Sequence, residues 1–582
     1  MTFFKLNLIA LLVLFSNTCE AKILQILHTN DLHAALITAG APDDNDVEYG
    51  GWAQVKTMMD RLTADAKSKG METVRLDAGD FLEGTLAYFP DHGQNILKAF
   101  QSLGFDAVAL GNHDWMMGAQ NLDASFAAAP FPFPVLSANT ELSPYLVNLN
   151  KQISDTAEIV RDGIKIGIVG LSTDEIAYKW ITKVDSYKRD MKILDYRDSF
   201  DKHGNEYMGI GNEAAHDLRK NNDLVIALTH IGIDEDRKLA ASSEDIDLIV
   251  GGHSHTILSA PVLVTNEKGE KIPVVQTGVN GKFIGKILIE VVPGKKPKLI
   301  SYELVPVLHS LPRDPTVAAL LDHAETRVLN LFGSEKLNKV VGKSDVRLVS
   351  GDLHATAYSK FIVDAMKDAA DSEIAIDLGA FHNNGAQAKG DVTYRKLMEM
   401  YPRKLNVEQN EGLYVYRARI PGWVLKIALK MAVKYGYELS LSGVEYTTYT
   451  LKEDDYSAEK GAMKDPWEKS ALSNERVDTI SINGEPIRTF KKYRVAMPEF
   501  FVRGAYAISA LTRLVIRDGR PTEFTIWDAA AAYLTKIGVI TGTDFEGPRA
   551  HEYNYGAELI QEISRTLQLA PERNSPENAL EK

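Results

Sequence analysis

The sequence predicts a two-domain α/β protein, and three observations support this fold class. First, 582 residues exceed what one hydrophobic core usually organises, so we expect two domains. Second, short apolar strand-like runs alternate with amphipathic helical stretches from Lys22 to about Pro312, which is the α/β pattern. Third, the proline-containing segment Leu311–Pro315 separates this region from a second α/β region.

The composition is that of an ordinary soluble globular protein, with 45% hydrophobic and 25% charged residues. The formal net charge of −14 argues against a protein that binds nucleic acid, because such proteins need a basic face. It is compatible with an anionic substrate, because bound divalent cations reverse the charge of a small pocket. We therefore expect a small-molecule partner and no nucleic acid.

Residues 1–21 predict a secretory signal peptide. Lys5 precedes the apolar run Leu6–Phe15, and the segment ends at Ala21, after which we expect cleavage. Cys19 is the only cysteine and lies inside this segment, so no disulfide is expected in the mature chain. A lipid tether through Cys19 is the less favoured alternative. No later stretch predicts a membrane span, so we expect an exported protein in the periplasm or outside the cell.

The first domain, residues 22–312, is predicted to alternate strands with helices. Helices fit Trp52–Lys67 and Asn95–Leu103, and Gly104 is expected to end the second one. Asp162-Gly163, between two β-rich runs, predicts a tight hairpin. The predicted strands are Lys22–His28, Thr73–Asp77, Ala107–Leu110, Val135–Ala138, Leu224–Leu228, Leu248–Val250 and Pro273–Gln276.

Residues 313–339 are predicted to form a linker helix between the domains. Thr316–Leu331 carries apolar residues along one side, and Gly333 favours the end of this helix.

The second domain is predicted to span residues 340–570. It contains a predicted helix at Ala355–Ala369 and a predicted hairpin at Asn483-Gly484. The polar tail 571–582 is expected to fray.

Five predicted strands of the first domain end in residues of the types that bind metal ions. The carboxyl ends of strands in an α/β sheet form one crevice, so groups that are distant in sequence meet there. A lone histidine after a strand is usually structural, but five such clusters favour a metal site. Carboxylate, amide and imidazole donors suit Zn²⁺, Mn²⁺ or Fe²⁺. The clusters are Asp31-Leu32-His33, Gly79-Asp80, Gly111-Asn112-His113-Asp114, Thr229-His230 and Gly251-Gly252-His253-Ser254-His255.

The order of these clusters resembles the calcineurin-like metallophosphoesterases. Their motifs run Asp-x-His, Gly-Asp, Gly-Asn-His-Asp/Glu, His and Gly-His-x-His. The segments Ile26–His33 and Leu136–Asn139 resemble more narrowly the secreted 5′-nucleotidase and 2′,3′-cyclic-nucleotide phosphodiesterase branch. The resemblance covers nearly all of the mature chain. It implies an N-terminal metallophosphoesterase sandwich, with β-sheets flanked by helices, and a C-terminal 5′-nucleotidase-like α/β domain.

This resemblance implies hydrolysis of phosphate esters at a centre of two divalent metal ions. Two such cations about 3.5–4 Å apart lower the pKa of a shared water and clamp the phosphoryl oxygens. By resemblance, His113 is the catalytic residue that steadies the phosphoryl group or the leaving oxygen. The implied ligands are Asp31, His33 and His255 for the first ion, Asn112, His230 and His253 for the second, and Asp80 as the bridge.

The sequence departs from the nucleotidase branch beside His113. That branch places an aspartate three positions after the catalytic histidine to orient it, and this chain has Met116 there. Methionine accepts a hydrogen bond only weakly. Two alternatives follow, since either another carboxylate supports His113 or catalysis is weaker. Asp114 is nearest in sequence but points elsewhere in the family pattern.

The second domain departs further from the family, whose nucleoside pocket uses three segments. Their ungapped placement gives Phe381–Asn384, Pro402–Leu405 and Gly504–Ala507, without the family's arginine, phenylalanine and aspartate. Phe500 is a candidate for one ring of the base stack, and Arg403 is a candidate anion contact. Three missing elements favour a substrate other than a standard 5′-nucleotide. The retained scaffold still favours a nucleotide or another small phosphate ester as the substrate.

Two other functions remain open. One is a thiosulfohydrolase-like enzyme on the same scaffold, which ranks lower because that offshoot lacks the Gly-Asn-His-Asp form. The other is a metal-binding surface or interaction protein without turnover. Six nearby residues are interpreted as structural, either packed, hydrogen-bonded or on the surface: His28, Asp77, Trp52, Trp115, His216 and His354.

Overall fold

The computed structural model of the protein describes most of both predicted domains. Residues 1–20, Cys19 among them, lie outside the described residues, as do His354 and the tail 571–582. The described residues are 21–38, 40, 47–174, 190–194, 209–349, 356–379, 382, 386–404, 410–434, 439–462, 472–503 and 518–542.

Two β-sheets stack face to face in the N-terminal domain, and helices cover the outer face of each. The inner faces share an aliphatic core to which Ile26 and Ile226 belong. Phe100 belongs to the core outside the first sheet, and Leu239 to the core outside the second. This arrangement is the predicted sandwich, and it buries both faces of each sheet.

The first sheet has seven strands, five of which run parallel. Its strand Lys22–Thr29 sends Leu24 to the inner core and Leu27 to the outer one, because side chains alternate along a strand. The strands in spatial order are Lys298–Pro306, Phe283–Val291, Lys22–Thr29, Glu72–Asp77, Ala107–Ala109, Val135–Leu136 and Ile153–Ser154.

The second sheet has six strands, with four parallel strands between antiparallel edges. Asp162 and Gly163 have φ values of 48° and 79°, which confirms the predicted hairpin. A small pair joins Thr140–Leu142 to Met191–Ile193. The six strands in spatial order are Val262–Thr265, Lys271–Val275, Leu248–Gly251, Leu224–His230, Ile164–Ser172 and Thr156–Arg161.

The helices of the N-terminal domain lie close to their predicted positions. The predicted helix Asn95–Leu103 begins one residue earlier and ends at Gln101, because the chain turns before Gly104, whose φ is 77°. The helices are Trp52–Ser68, Gln94–Gln101, Ala119–Ala128, Leu149–Gln152, Gly209–Arg219 and Ile233–Ser242, with 3₁₀ turns at Leu86–Tyr88 and His113–Trp115.

The linker helix spans Pro315–Phe332 and serves both domains. The side chain of Asp314 caps it by accepting the backbone N–H groups of its first turn, and Gly333 ends it. Val317 packs into the outer core of the first sheet, whereas Val328 packs into the core of the C-terminal domain. One helix therefore connects the two cores.

The C-terminal domain places helices around a five-stranded sheet and smaller sheets. The predicted helix at Ala355–Ala369 begins at Ala357, after a capping box at Thr356. Positive φ values at Asn483 and Gly484 confirm the second hairpin. The helices are Ser334–Asn338, Ala357–Ala369, Tyr394–Met400, Gly422–Lys434, Glu453–Ala462, Glu499–Arg503 and Ile526–Ile537.

The strands of the C-terminal domain form four sheets within the described residues. The five-stranded sheet contains Leu439–Ser442, Ile374–Leu378, Lys492–Pro498, Tyr414–Pro421 and Arg520–Thr525. The two three-stranded sheets contain Gly390–Thr393, Val340–Ser344 and Val539–Ile540, and Val444–Thr450, Glu475–Ile482 and Glu485–Pro486. The two-stranded sheet pairs Leu348–Val349 with Ala386–Gln387.

The loop after strand Glu72–Asp77 crosses from one domain to the other. Its residues Leu86 and Phe89 are buried in the core of the C-terminal domain, where the Phe89 ring lies 5.6 Å from that of Trp527 and 5.7 Å from that of Phe332. We call residues 81–90 the crossing loop. Within the described residues, no helix is both long and apolar enough to span a membrane.

Candidate metal centre

The structure brings all of the predicted ligands together where strands of both sheets end. Four follow neighbouring parallel strands of the first sheet, and the other three end or follow neighbouring parallel strands of the second. Ligand atoms of Asp31, His33 and His255 lie within 4.8 Å of one another, and so do those of Asp80, His230 and His253. The first trio contains the three residues predicted for the first ion, and the second contains two of those predicted for the second ion together with Asp80, the predicted bridge.

Asp31, His33 and His255 form the first trio. Nε2 of His33 lies 3.1 Å from Nε2 of His255, which lies 3.3 Å from Oδ1 of Asp31. Nδ1 of His33 donates to the carbonyl oxygen of Glu83 at 2.9 Å, which leaves the Nε2 lone pair directed at the trio.

Asp80, His230 and His253 form the second trio, and Asn112 lies against it. Nε2 of His230 is 3.1 Å from both Oδ2 of Asp80 and Oδ1 of Asn112. Nδ1 of His230 donates to the carbonyl oxygen of Ala78 at 2.6 Å, so its Nε2 is again the atom that faces the other ligand atoms.

These contacts fit divalent metal ions. In each trio, ring nitrogens and side-chain oxygens face one another at hydrogen-bonding distance, while Nδ1 of His33 and Nδ1 of His230 are hydrogen-bonded elsewhere. Ligand atoms that converge in this way are satisfied by a shared cation, either a proton or a metal ion. Oδ2 of Asp80 is also 3.7 Å from Nε2 of His33, so Asp80 reaches both trios.

Five of the seven predicted ligands have backbones in the left-handed region. L-residues rarely adopt this conformation, and it costs about 1–3 kcal/mol when the surrounding structure imposes it. Such strain concentrates at functional sites. The values of φ are 52° for Asp31, 43° for His33, 60° for Asp80, 76° for His253 and 52° for His255.

Burial and mutual charge shift the pKa values in this site. Burial, with the charges of His113 and His255, lowers the pKa of His33 to about 3. Burial also disfavours charged His230, but the carboxylates of Asp80 and Asp31 outweigh it and raise its pKa to about 10. Burial works to raise the pKa of Asp80, yet the nearby histidines, His230 foremost, hold it well below its ordinary value. The carboxylates therefore stay ionised, as cation binding requires.

His113 lies beside the two trios, and its carboxylate partner is Glu83. Nδ1 of His113 donates to Oε2 of Glu83 at 2.7 Å, and a ring nitrogen of His113 is within 4.8 Å of ligand atoms of His33 and Asp80. Met116 is a buried packing residue. Of the two alternatives left by Met116, the structure supports the first, in which another carboxylate holds His113.

Glu83 was not among the residues predicted from sequence. A signal existed, since Glu83 is the one acidic residue in the run Phe81-Leu82-Glu83-Gly84 directly after the Gly79-Asp80 motif. Burial works to raise the pKa of Glu83, but the charge of Arg403 and the hydrogen bond from His113 lower it to about 2. Glu83 is thus an anion at neutral pH.

Asp114 points away from the His113 ring, as the family pattern implies. Its carboxylate accepts the backbone N–H groups of Gly111 at 2.8 Å, Phe81 at 2.8 Å, Leu82 at 3.0 Å and Asp80 at 3.2 Å. Asp114 therefore ties two ligand-bearing loops together.

The two predicted substrate residues of the C-terminal domain are buried. The Arg403 guanidinium, 5% exposed as a residue, forms an ion pair with Glu83, so the anion that it contacts is a side chain of this protein. Phe500 is 4% exposed, and its ring lies 4.3 Å from that of Phe501. Much of the three departing segments lies outside the described residues. Substrate binding by Arg403 and Phe500 stays a prediction.

The described residues among those interpreted as structural have structural surroundings. His28 is fully buried, and burial lowers its pKa to about 3. Asp77 accepts from Thr29 at 2.6 Å and from the Gly79 backbone at 3.0 Å. His216 is exposed and contacts Asp245. Both predicted packing tryptophans, Trp52 and Trp115, lie in the core outside the first sheet.

Two family models match this chain. Residues 24–256 match the calcineurin-like phosphoesterases, and residues 340–513 match the 5′-nucleotidase C-terminal domain. Protein 5NUC of Lutzomyia longipalpis is 24% identical over 568 residues, which cover 88% of this chain and 90% of that protein. Six further relatives, all named 5′-nucleotidases, match over 53% to 62% of their own length, so this chain spans little more than half of each.

Two solved structures share the fold across both domains. The 5′-nucleotidase precursor of Thermus thermophilus superposes with a TM-score of 0.73 at 24% identity, covering 91% of this chain and 99% of that one. The sulfate thiohydrolase SoxB of Thermus thermophilus superposes with a TM-score of 0.68 at 17% identity, covering 91% and 97%. At these identities the likeness concerns the fold alone.

Proposed function

We propose that this chain uses two divalent ions to hydrolyse small phosphate esters, nucleotides included. The chain belongs to the 5′-nucleotidase family of calcineurin-like metallophosphoesterases and is a metal-dependent phosphoric ester hydrolase. One observation carries the proposal: two trios of aspartate and histidine ligand atoms meet at Asp80, with His113 beside them. The donor set of carboxylate, amide and imidazole groups supports Zn²⁺, Mn²⁺ or Fe²⁺.

The ions, when bound, would activate water and polarise the phosphoryl oxygens. Asp31, His33 and His255 would hold one ion, Asn112, His230 and His253 the other, and Asp80 both. The chain's own contribution is rigidity: the carbonyl oxygens of Glu83 and Ala78 each fix one imidazole ligand. Preorganised ligands need little rearrangement during the reaction.

His113 is the proposed catalytic residue. Its Nδ1 donates to Glu83, so in the neutral ring Nε2 carries the lone pair. We assign His113 to the phosphoryl group or the leaving oxygen, where an imidazole can hold or transfer a proton. No protein nucleophile is required, because water attacks the phosphorus.

The proposed location is outside the cytoplasm, supported by the apolar run Leu6–Phe15 after Lys5. We also propose the domain division at residues 22–312, 313–339 and 340–570, which the helix Pro315–Phe332 supports.

A metal-supplemented activity panel on the purified mature chain tests the proposed function. Aryl and bis-aryl phosphates, AMP, ATP, cyclic nucleotides and a thiosulfonate would be compared, with metal content measured per chain. We expect turnover of at least one phosphate ester, lost in Asp80→Asn and reduced in His113→Ala. Two bound metals without hydrolysis of any ester would favour the binding-protein alternative, and turnover of the thiosulfonate alone would favour the thiosulfohydrolase alternative.

A further inference from the structure

His113 contacts a residue pair that spans the two domains, Glu83 and Arg403. We propose that Glu83, held in place by Arg403 of the C-terminal domain, is the positioning residue for His113. The inference rests on the proposed phosphoesterase activity and deepens it, because it makes the geometry of His113 depend on contact between the domains.

Glu83 is well placed for this role because its loop is fixed at both ends. At the start of the crossing loop, the Asp114 carboxylate accepts the backbone N–H groups of Phe81 and Leu82. At its far end, Leu86 and Phe89 are buried in the C-terminal core. Glu83 lies between these anchors and is 3% exposed, so its carboxylate has little freedom to turn away from His113.

Glu83 has separate contacts for its backbone and its side chain. Its carbonyl oxygen accepts from Nδ1 of His33, a proposed metal ligand, at 2.9 Å. Its carboxylate accepts from Nδ1 of His113 at 2.7 Å. A substitution of the side chain therefore removes the contact to His113 and retains the backbone contact to His33, which makes the proposed role testable.

Arg403 is the counter-charge that a buried Glu83 needs. A buried carboxylate without a partner charge is strongly disfavoured, and the guanidinium of Arg403 forms an ion pair with Oε2 of Glu83, the oxygen that also accepts from His113. Lys404, the next residue, lies across the same boundary, with Nζ 4.9 Å from the centre of the Phe89 ring. Two successive cations of the C-terminal domain thus contact the crossing loop.

A network of hydrogen bonds in the C-terminal domain surrounds Arg403. Its backbone N–H donates to the carbonyl oxygen of Tyr401 at 2.9 Å, and that oxygen also accepts from Nε1 of Trp527 at 2.8 Å. The hydroxyl of Tyr401 donates to Asp377 at 3.0 Å, and a ring nitrogen of His382 lies 3.1 Å from the same carboxylate. Movement of the C-terminal domain would carry Arg403 away from Glu83 and release His113.

Kinetics of the metal-loaded, full mature chain test the inference with a double-mutant cycle. Glu83→Gln and Arg403→Met would each be made in the wild-type and His113→Ala backgrounds, with kcat and KM measured on 4-nitrophenyl phosphate. Arg395→Met is the matched control, because the Arg395–Glu325 ion pair also joins the C-terminal domain to the linker helix without touching the site.

We expect Glu83→Gln to lower kcat about tenfold to a hundredfold with KM changed less than about threefold. In the His113→Ala background the further loss should be less than about twofold, since Glu83 acts through His113. Arg403→Met should follow the same pattern, Arg403→Lys should restore part of kcat, and Arg395→Met should stay within about twofold of wild type. Equal losses from Glu83→Gln in both backgrounds, or loss of bound metal in Glu83→Gln, would overturn the inference.

The midpoint of thermal unfolding gives a second reading that needs no turnover. If Glu83 and His113 form one unit, the shifts caused by Glu83→Gln and His113→Ala should be non-additive by about 2 °C or more. An inactive wild-type chain with this coupling would refute the proposed function and leave the contact established. Additive shifts would refute the contact itself, whatever the activity.

Discussion

The two domains place polar side chains at the candidate site in different ways. In the N-terminal domain, the predicted ligands end or follow parallel strands of two sheets, and five of them have positive φ values. In the C-terminal domain, Arg403 and Lys404 follow the short helix Tyr394–Met400 and reach across the domain boundary. The comparison shows that the strand ends of the N-terminal domain bring residues that are distant in sequence to one site. The residues of the C-terminal domain reach that site only because the two domains are in contact.

The same comparison separates what each set of residues requires from its surroundings. Backbone hydrogen bonds hold the strained ligand residues in their conformations. The N–H of Asp31 donates to the carbonyl oxygen of Gly79 at 2.9 Å, and the N–H of His33 donates to that of Asp80 at 2.8 Å. Arg403 has no such backbone strain and depends instead on a buried partner charge. Substitutions of the ligand residues should therefore primarily affect metal binding and kcat, whereas substitution of Arg403 should also destabilise the contact between the domains.

Asp80→Asn should have the largest effect. Its carboxylate reaches both trios, at 3.1 Å from His230 and 3.7 Å from His33, so loss of its charge weakens both ion sites. We expect kcat on 4-nitrophenyl phosphate to fall about 10³-fold or more, with less metal bound per chain. Asp65→Asn, on an exposed helix surface, is the control, and equal activity of the two variants would contradict the assignment.

Arg403→Met should lower stability as well as kcat, because it leaves Glu83 buried without a partner charge. We expect the free energy of unfolding to fall by about 3–5 kcal/mol, as for other broken buried ion pairs. Arg395→Met breaks the more exposed pair of Arg395 and Glu325, and we expect it to lower the free energy of unfolding by at most about 1 kcal/mol. Urea unfolding measures both, and similar losses would mean that the interface does not depend on Glu83 and Arg403.

Gly111→Ala tests how closely the ligand loops approach. A Cβ atom at Gly111 would overlap Oδ1 and the backbone nitrogen of Asp80, so Asp80 has to move. We expect kcat to fall by up to about 10²-fold, because a displacement of about 1 Å is costly at a reacting centre. Gly461→Ala is the control, since a Cβ there meets nothing within 4 Å. Unchanged kinetics and metal content in Gly111→Ala would contradict this packing.

Lys404 predicts a pH dependence of stability at the boundary between the domains. Burial lowers the pKa of Lys404 to about 8, although the charges of Glu83 and Asp91 work to raise it. In the unfolded chain the same lysine keeps its proton up to about pH 10.4. Stability conferred by Lys404 therefore rises with pH in this interval. Relative to Lys404→Met, the free energy of unfolding should rise by about 1–2 kcal/mol from about pH 8 to 10. A constant difference across these pH values would refute the buried, easily deprotonated lysine.

Phe500→Leu should have the smallest effect and decides whether its ring binds substrate. Since Phe500 is buried in the C-terminal core, we expect a loss of about 1 kcal/mol in unfolding free energy from the smaller side chain. KM for AMP should change less than about twofold. A severalfold rise in KM at nearly unchanged stability would instead place the ring against the substrate, as first predicted from the sequence.

Much of the N-terminal domain could be predicted because its signals are local. The predicted strand Thr73–Asp77 is observed as Glu72–Asp77, and the predicted helix Trp52–Lys67 as Trp52–Ser68. Apolar runs bounded by glycine and polar clusters mark such elements whatever their surroundings. The support of His113 was harder to predict, because Glu83 is 30 residues away in sequence and meets His113 only through the fold.

The sequence by itself determined the α/β class, the linker helix and a set of ligand residues at strand ends. These features depend on hydrophobic periodicity and side-chain chemistry, which can be read from local sequence. Only the tertiary structure decided which carboxylate holds His113, which anion Arg403 meets, and that Phe500 lies in a core. These three outcomes depend on distances between segments up to 320 residues apart. The Arg403 contact follows from how the two domains dock and the other two outcomes from packing within a domain, and no local pattern in the chain encodes them.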